Sequence, residues 1–308
     1  MAESLEELRP RAFAIAYRML GSVSEAEDVV QESLLRVHAA LEKGERIESP
    51  RAYLSTVVTR LAIDELRSAR ARRERYVGEW LPEPLLTNDD ADPAHQAEMA
   101  DSLSLALLVL LESLSPEQRA VFLLRDVFDY PYERIAQIVS RSEAAVRQLA
   151  SRARRSVDEQ RPRFEASRAQ RERLADRFFA AVEEGDLGEL ESLLASDVEL
   201  HGDGGGKAPA ISRPLQGRNR VAQMLLAWWR AAARFGGATV RRVEVNGQPG
   251  AMTLDSDGRL ISVIAVDIAG GQIQVVNSLV NPDKLDHLGL PVANLGALLR
   301  AASSQTET

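Results

Sequence analysis

The first half of the chain carries apolar residues at the three- and four-residue spacing that is typical of amphipathic helices. One such run ends at Gly21, a residue type that commonly stops a helix. Ser24 and Glu27 then have the capping-box pattern that starts a second helix. A third, long helix is predicted from Pro50, because proline is favoured in a first helical turn. The pattern predicts an all-α domain over residues 1–78.

Two short helices with a tight turn between them are predicted over Tyr130–Arg155. Ser142 is placed to cap the second helix, and this stretch contains six arginines from Arg134 onward against one acid, Glu143. A helix-turn-helix places its second helix in the DNA major groove, where Arg and Gln side chains reach base edges and phosphates. The alternative is a helical hairpin with a solvated basic face. The DNA-binding candidates on the second helix are Arg147, Gln148, Ser151, Arg152, Arg154 and Arg155.

The helix-turn-helix belongs to a predicted second helical domain over residues 102–165, which is preceded by a linker over 79–101. Several prolines and acids predict that the linker is extended and exposed to solvent. Trp80, Leu81 and Pro82 stand out, because large apolar side chains are costly to leave in water. This segment either packs on the nearest domain or serves as a docking segment.

Beyond residue 165 the pattern changes from helices to strands. Three helices are expected, at Arg173–Glu184, Leu187–Ala195 and Gly217–Phe235, with a strand at Asp197–His201. Gly-containing turns separate four further strands, at Thr239–Asn246, Gly250–Leu254, Leu260–Ile268 and Gln272–Val280. This order predicts an α+β domain over 166–300 with helices on one face of a curved sheet, and a disordered tail over 301–308.

Composition narrows the function classes. The chain of 308 residues is 45% hydrophobic and 27% charged, which is typical of a soluble globular protein, and no apolar run is long enough for a membrane span. Cysteine is absent, which excludes disulfides, thiol nucleophiles and thiolate metal sites. We therefore expect a cytoplasmic protein with no metal, no cofactor and no membrane partner. The net charge of −8 averages over local basic clusters, so it does not exclude DNA binding.

The segments AYRMLGSVSEAEDVVQESLLRV and PRAYLSTVVTRLAIDELRSARARR, followed by the helix-turn-helix, resemble a bacterial RNA polymerase sigma factor of the extracytoplasmic-function type. The resemblance implies two all-α sigma domains, the second reading the minus-thirty-five promoter element. It also implies that the second helix docks on the clamp of the polymerase beta-prime subunit, through Asp28, Gln31, Glu32, Leu35 and Arg36. The loop before Pro50 and the following helix would open the minus-ten element, with DNA contacts at Tyr53, Arg60, Asp64 and Arg67. The family commonly has Gly where this chain has Ser140, so we expect a slightly different turn.

The C-terminal order of elements resembles the SnoaL-like, cone-shaped fold. Together with the sigma half it resembles the group of these sigma factors that carries a fused SnoaL-like extension. The resemblance implies a domain that regulates sigma activity in cis, and a ligand in its pocket could bias the active state. The regulatory candidates are Trp80, Leu81, Pro82, Asp203, Gly204, Gly205, Gly206, Lys207, Asn281, Pro282, Asp283, Lys284 and Leu285.

Two other interpretations stay open at this point. A SnoaL-like hydrolase or isomerase tethered to a DNA-binding module would need His201 and Asp203 as an acid–base pair, whereas these residues also fit a polar strand end. A helix-turn-helix regulator unrelated to sigma factors would use the N-terminal helices only as a dimer platform, and the polymerase-binding pattern at Asp28–Arg36 argues against it. The expected function is a promoter-specificity subunit and not an enzyme.

Overall fold

In the computed structural model, which describes residues 5–87, 103–159, 167–233 and 237–296, the N-terminal helices lie close to their predicted positions. A 3₁₀ turn at Leu5–Leu8 leads into α1, and Gly21 ends α1 with a left-handed backbone, φ 68°. The second helix begins earlier than predicted, because Ser22 and not Ser24 is its cap and its hydroxyl accepts the Glu25 N–H. The three helices are α1 (Arg9–Leu20), α2 (Val23–Glu42) and α3 (Pro50–Arg73).

The second helical domain also follows its sequence signals. Ser115 forms a complete capping box with Gln118 ahead of Pro116, and Ser142 caps the recognition helix by accepting the Ala145 N–H. Its elements are α4 (Leu105–Leu111), α5 (Pro116–Phe122), a π-helical turn (Leu123–Val127), α6 (Tyr132–Val139) and α7 (Glu143–Asp158).

The turn between α6 and α7 corrects one expectation. Ser140 adopts the left-handed conformation that glycine favours, with φ 54° and ψ 48°. The backbone N–H groups of Ser140 and Arg141 both donate hydrogen bonds to the Ala136 carbonyl. In this conformation a carbonyl of the last turn of α6 therefore has its hydrogen-bond partners. The predicted different turn is therefore wrong, because these cap hydrogen bonds hold a serine in the geometry expected of glycine.

Residues Met1–Arg75 and Leu107–Arg161 form one compact unit. Helices α1, α2 and α3 pack on one another, and α5 packs on α7. The core under the helix-turn-helix consists of Val121, Leu124, Ile135, Ile138, Val146 and Ala150. The two sigma-like domains thus belong to the same unit, and their mutual contacts are described below.

Tyr76–Ala106 and Pro162–Thr308 form a second compact unit, which combines helices with one six-stranded sheet. The strand order is β2-β1-β6-β5-β4-β3; β1 and β6 are parallel and the other pairs are antiparallel. The elements are α8 (Arg168–Glu184), α9 (Leu187–Leu193), β1 (Leu194–Asp203), β2 (Leu215–Gln216), α10 (Arg218–Ala233), β3 (Ala238–Val245), β4 (Gln248–Asp255), β5 (Leu260–Ala269) and β6 (Gln272–Leu279).

Several boundaries in this unit differ from the prediction. Helix α8 begins at Arg168 and not at Arg173, and β1 covers Leu194–Asp203 and not only Asp197–His201. The helix expected over Leu187–Ala195 ends at Leu193, and β1 begins at the next residue. The two-residue strand β2 was not predicted, because it is too short to show an alternating pattern and exists only through its pairing with β1. The α+β class and the helical class of the sigma domains are both confirmed.

Helices α8 and α10 cover one face of the sheet, and strand alternation sends every second side chain to the other face.

The described part of the linker packs within this second unit. Leu81 is fully buried, and Pro82 and Pro84 are buried with it. The general prediction of a solvent-exposed linker does not hold for these residues. They follow the alternative given for this apolar segment, packing on a neighbouring domain, because burial removes costly apolar surface from water.

Linker residues 88–102 and the predicted tail 301–308 lie outside the described residues. Among the described helices, none combines the length and the hydropathy that a membrane span requires.

Candidate functional site

The candidate DNA-reading face of α7 is exposed on one side of the helix. Gln148, Ser151, Arg152 and Arg155 are exposed, and Arg147 is exposed while stacked 4.5 Å from the ring centroid of Tyr132. These side chains offer the hydrogen-bond donors that base edges and phosphates accept. Two of the candidate arginines already bind carboxylates. Arg147 Nε donates to Glu143 Oε1 at 3.1 Å, and Nε of half-buried Arg154 donates to Asp126 Oδ1 at 2.7 Å.

The candidate DNA-contacting residues of α3 are partly engaged in contacts with the helix-turn-helix. Arg60 donates from Nε to the Ile138 carbonyl at 2.8 Å and from Nη2 to the Gln137 carbonyl at 2.9 Å. Arg67 lies 2.9 Å from Asp64 and 3.3 Å from Glu117. In this arrangement Arg60 and Arg67 bind protein groups, which competes with their binding to DNA.

Tyr53 and Asp64, the other two candidates on α3, are less constrained. Asp64 is exposed and Tyr53 is half-buried. The neighbouring turn of α3 also contacts the second domain, because the Tyr130 hydroxyl lies 2.8 Å from Ser55 Oγ and Arg134 donates to the Ala52 carbonyl at 2.8 Å.

A buried ion cluster reinforces the contact between the two sigma-like domains. Glu112 accepts from Arg119 and from Arg73 of α3, and fully buried Arg119 also donates to the Arg18 carbonyl at 3.0 Å. Burial alone would raise the pKa of Glu112, but Arg119 and Arg73 hold this pKa below its usual value. The arginines in the C-terminal half of α3 therefore contribute to the packing of the two sigma-like domains, as well as to the favourable charge at the end of the helix.

The candidate polymerase-binding residues share the outer face of α2. Asp28, Gln31, Glu32, Leu35 and Arg36 are all exposed, and Arg36 donates to Glu32 at 2.7 Å. Leu35 leaves 57% of its surface exposed between these polar residues. A single exposed leucine is common on protein surfaces, so the polymerase-binding role of this face stays a prediction.

The linker is anchored on one buried carboxylate of the C-terminal domain. Asp203, at the end of β1, accepts from the Tyr76 hydroxyl at 2.5 Å, from the Leu81 N–H at 2.8 Å and from Lys284 Nζ at 2.7 Å. Lys284 also donates to the Leu81 carbonyl and lies 4.2 Å from the Trp80 ring centroid. Both charges are almost completely buried, so this ion pair depends on its complete set of hydrogen bonds.

The glycine-rich loop and the 281–285 segment complete this linker site. A side chain on Gly205 would collide with Asn281 and with the Tyr76 hydroxyl, and one on Gly206 would press on Val77. Asn281 donates to the Tyr76 hydroxyl at 2.7 Å. Burial first, and then the bond to Asp203, raise the pKa of Tyr76. The structure thus brings together all three predicted motifs, although Lys207 and Asp283 only form an exposed pair with each other at 2.5 Å.

Further along, the linker pairs with the sheet. Leu85 N–H donates to Asn246 Oδ1 at 2.9 Å, and Asn246 N–H donates back to the Leu85 carbonyl at 2.8 Å. Leu86 forms an antiparallel bridge with Val245, and Thr87 N–H donates to the Glu244 carbonyl at 3.0 Å. These bonds place a short stretch of linker alongside the edge strand β3.

His201 and Asp203 do not form the acid–base pair that the enzyme interpretation needs. His201 Nδ1 lies 2.6 Å from Glu79 Oε1 of the linker, and its Nε2 lies 3.1 Å from Glu199 Oε2. Between them, Gly202 lines the cavity under the helices, so by strand alternation His201 and Asp203 point to the opposite face. Among the described residues that line this cavity, none has an ionisable side chain.

Comparison with known proteins agrees with this division of the chain. Residues 5–72 match the family model for sigma-70 region 2, residues 104–157 match sigma-70 region 4, and residues 175–278 match the SnoaL-like domain. Over 292 residues the chain is 40% identical to the ECF RNA polymerase sigma factor SigJ of Mycobacterium tuberculosis, covering 91% of each protein. The chain belongs to the ECF family of RNA polymerase sigma factors.

Two further matches agree with this membership. The crystal structure of Mycobacterium tuberculosis SigJ superposes with a TM-score of 0.74 and 36% identity, covering 94% of this chain and 98% of the other. Probable ECF sigma factor SigI of the same species is 33% identical over 276 residues, covering 89% of this chain and 91% of the relative. This sigma factor therefore binds RNA polymerase and promoter DNA, and its relatives indicate a non-enzymatic regulator.

Sequence reasoning about this sigma factor missed four residues of the linker site. Tyr76, Glu79, Asn246 and His287 all contact the linker or belong to it, the last through a bond between Nε2 and the Pro84 carbonyl at 2.8 Å. Tyr76 had a detectable signal, since it is an aromatic residue just after a strongly basic helix and close to Trp80. Asn246 was assigned only to a turn, because its buried linker contacts depend on the tertiary structure.

Proposed function

We propose that this ECF sigma factor is regulated in cis by its SnoaL-like domain, which captures the linker between the two promoter-recognition domains. The observation that carries the proposal is the position of Asp203, which accepts hydrogen bonds from Tyr76, Leu81 and Lys284. The linker joins regions 2 and 4 covalently. When the SnoaL-like domain captures part of the linker, a shorter free segment remains to connect the two regions while both bind DNA. The proposed regulatory residues are those of the three motifs named from the sequence.

We also propose the division of labour within the sigma domains. The exposed face of α2 around Leu35 would bind the clamp of the polymerase beta-prime subunit. Tyr53, Arg60, Asp64 and Arg67 would contact the minus-ten element, and the exposed face of α7 would contact the minus-thirty-five element. The protein would act in the cytoplasm, where it meets polymerase and promoter DNA.

Contacts within the sigma unit support a resting state that must open. Arg60 cannot bind DNA through the donors that it directs to the Ile138 and Gln137 carbonyls. Polymerase and promoter DNA would shift the population to an open state by binding it more tightly than the resting state. Residues that hold the resting state would then set the basal activity.

The test is transcription in vitro with core RNA polymerase, comparing the full chain with its Asp203→Asn variant. This change removes the charge that pairs with Lys284 and weakens linker capture, so we expect a several-fold change in promoter-dependent initiation. Asp197→Asn is the matched control, because Asp197 lies on the same strand as Asp203 but is exposed and belongs to none of the three motifs. Unchanged initiation by a folded Asp203→Asn protein contradicts regulation through this site.

A further inference from the structure

An apolar cavity of about 130 Å³ lies between the helices and the sheet of the SnoaL-like domain. It is lined by side chains from α8, α10 and four strands, together with the loop after β1, and it is partly open to solvent. Its walls include Phe178, Phe179, Leu225, Trp228, Val240 and Ile264.

The polar groups of this cavity are few and uncharged. Thr253, Ser262 and Ser278 contribute hydroxyls to the lining, and no Asp, Glu, His, Lys or Arg is among its described lining residues. A charged ligand would lose its hydration there without gaining a counter-charge, which is strongly unfavourable. The lining therefore selects against ions and favours uncharged molecules.

The volume restricts the size of the occupant. In another protein, an apolar cavity of roughly 150 Å³ stays dry and binds benzene. The present cavity is slightly smaller by this measure, at about 130 Å³, and its hydroxyls can orient one polar substituent. A single aromatic ring or an aliphatic molecule of similar size matches this space.

The loop from Asp203 to Ile211 connects this cavity to the captured linker. Pro209 and Ala210 of the loop line the cavity, whereas Gly205 and Gly206 of the same loop lie against Tyr76 and Val77. The loop is tightly folded, because Lys207 and Ala208 both donate to the Gly204 carbonyl at 2.9 and 3.0 Å. The cavity wall and the linker contacts therefore lie only a few residues apart in the same folded loop.

We propose that this cavity binds an uncharged, largely apolar molecule of about one aromatic ring, and that its occupancy stiffens the 203–211 loop that holds the linker. The domain would then sense such molecules without acting on them chemically. The coupling to the linker rests on the proposed regulation in cis, but binding itself does not depend on it.

The experiment titrates toluene into the full chain by calorimetry, with benzoate as a charged probe of similar shape. Ala251→Leu fills the cavity from β4, and Ala227→Leu is the matched control, because Ala227 is exposed on α10 and does not line the cavity. We expect one toluene site, at least about tenfold weaker binding in Ala251→Leu, and unchanged binding in Ala227→Leu. Benzoate should bind about a hundredfold more weakly than toluene.

Three results would overturn the proposal: no toluene binding, equal binding by benzoate, or toluene binding that a folded Ala251→Leu variant retains. Ser262→Leu replaces Ala251→Leu if circular dichroism shows that the latter is unfolded. Hydrogen exchange with saturating toluene then tests the coupling, since residues 203–211 should exchange more slowly; unchanged exchange overturns that part. None of these readouts uses transcription, so they can fail independently of the regulation in cis.

Discussion

Arg60 of α3 donates a hydrogen bond of 2.8 Å to the carbonyl oxygen of Ile138, in the first helix of the helix-turn-helix. The same guanidinium reaches Gln137 and Ser140, so one side chain holds the end of α6 and the turn that follows it. A residue expected to contact the minus-ten element thus also joins the two DNA-binding domains. In the proposed resting state, this contact would have to break before Arg60 could bind DNA.

The first prediction concerns this contact. Arg60→Gln removes the charged donors, so local opening of residues 132–140 should become easier by about 1 kcal/mol, or about fivefold faster hydrogen exchange. Arg51→Gln is the control, because Arg51 is exposed near the start of the same helix. Equal exchange in the two variants would show that Arg60 does not hold α6.

The buried pair of Asp203 and Lys284 should be far more important for stability than the exposed pair beside it. Lys284→Met leaves the Asp203 charge buried and uncompensated, which should cost about 3–5 kcal/mol in denaturant unfolding of the second unit. Lys207→Met breaks the exposed pair with Asp283 and should cost less than about 1 kcal/mol. Similar losses in both variants would contradict the structural role of Asp203.

Ser140 provides a prediction of increased stability. Its left-handed backbone is unfavourable for a residue with a side chain, so Ser140→Gly should stabilise the sigma unit by about 0.5–1 kcal/mol in thermal unfolding. Ser142→Ala is the opposite test, because it removes the N-cap of α7 and should cost about 1 kcal/mol. A destabilised Ser140→Gly protein would mean that the contact between Arg60 and the Ser140 hydroxyl outweighs the strain.

The linker should be held less firmly as the pH rises. Both ring nitrogens of His201 face carboxylates, of Glu79 and Glu199, and both can donate only when the ring is protonated. Burial alone would lower the pKa of His201, but these two carboxylates raise it above the usual value. A raised pKa in the folded state adds stability below pH ~6.5 that is lost as the pH passes the folded-state pKa.

Asp267 faces the same histidine and shifts stability in the same direction. Its burial raises the pKa to about 7, so its ionisation also opposes folding as the pH rises. After correction for the intrinsic, base-catalysed rise of exchange with pH, the protection of residues 76–81 should therefore fall between about pH 6 and 9. His201→Gln should remove most of the fall above pH ~7, whereas Asp267→Asn should remove the fall below it. A pH profile that His201→Gln leaves intact would exclude His201 as the titrating group.

The polymerase-binding face offers a prediction that leaves the fold intact. Leu35→Asp places a charge where 57% of the leucine is exposed, so stability should stay within about 0.5 kcal/mol. Binding to core RNA polymerase should weaken by about tenfold or more, as for an apolar anchor in an interface. Leu187→Asp, at an exposed leucine of the C-terminal domain, is the control and should bind normally. Normal binding by Leu35→Asp would place the interface elsewhere.

The sequence by itself determined the helices of the sigma domains, the helix-turn-helix and the α+β class of the extension. These depend on local signals: apolar periodicity, caps such as Ser115 and Ser142, and glycine turns. The motifs of the linker site were also recognisable, because Trp80, the glycine-rich loop and the 281–285 segment differ in composition from their surroundings. Their roles as regulatory residues stay predictions.

Only the tertiary structure decided which groups meet. Strand alternation placed His201 and Asp203 on the face opposite the cavity, and the linker then supplied Glu79 and Tyr76 as their partners from 122 and 127 residues away. Whether Arg60 faces protein or DNA likewise depends on the packing of two domains. Hydrogen bonds and ion pairs between distant segments leave no periodic pattern in the chain, because each depends on the three-dimensional positions of both partners.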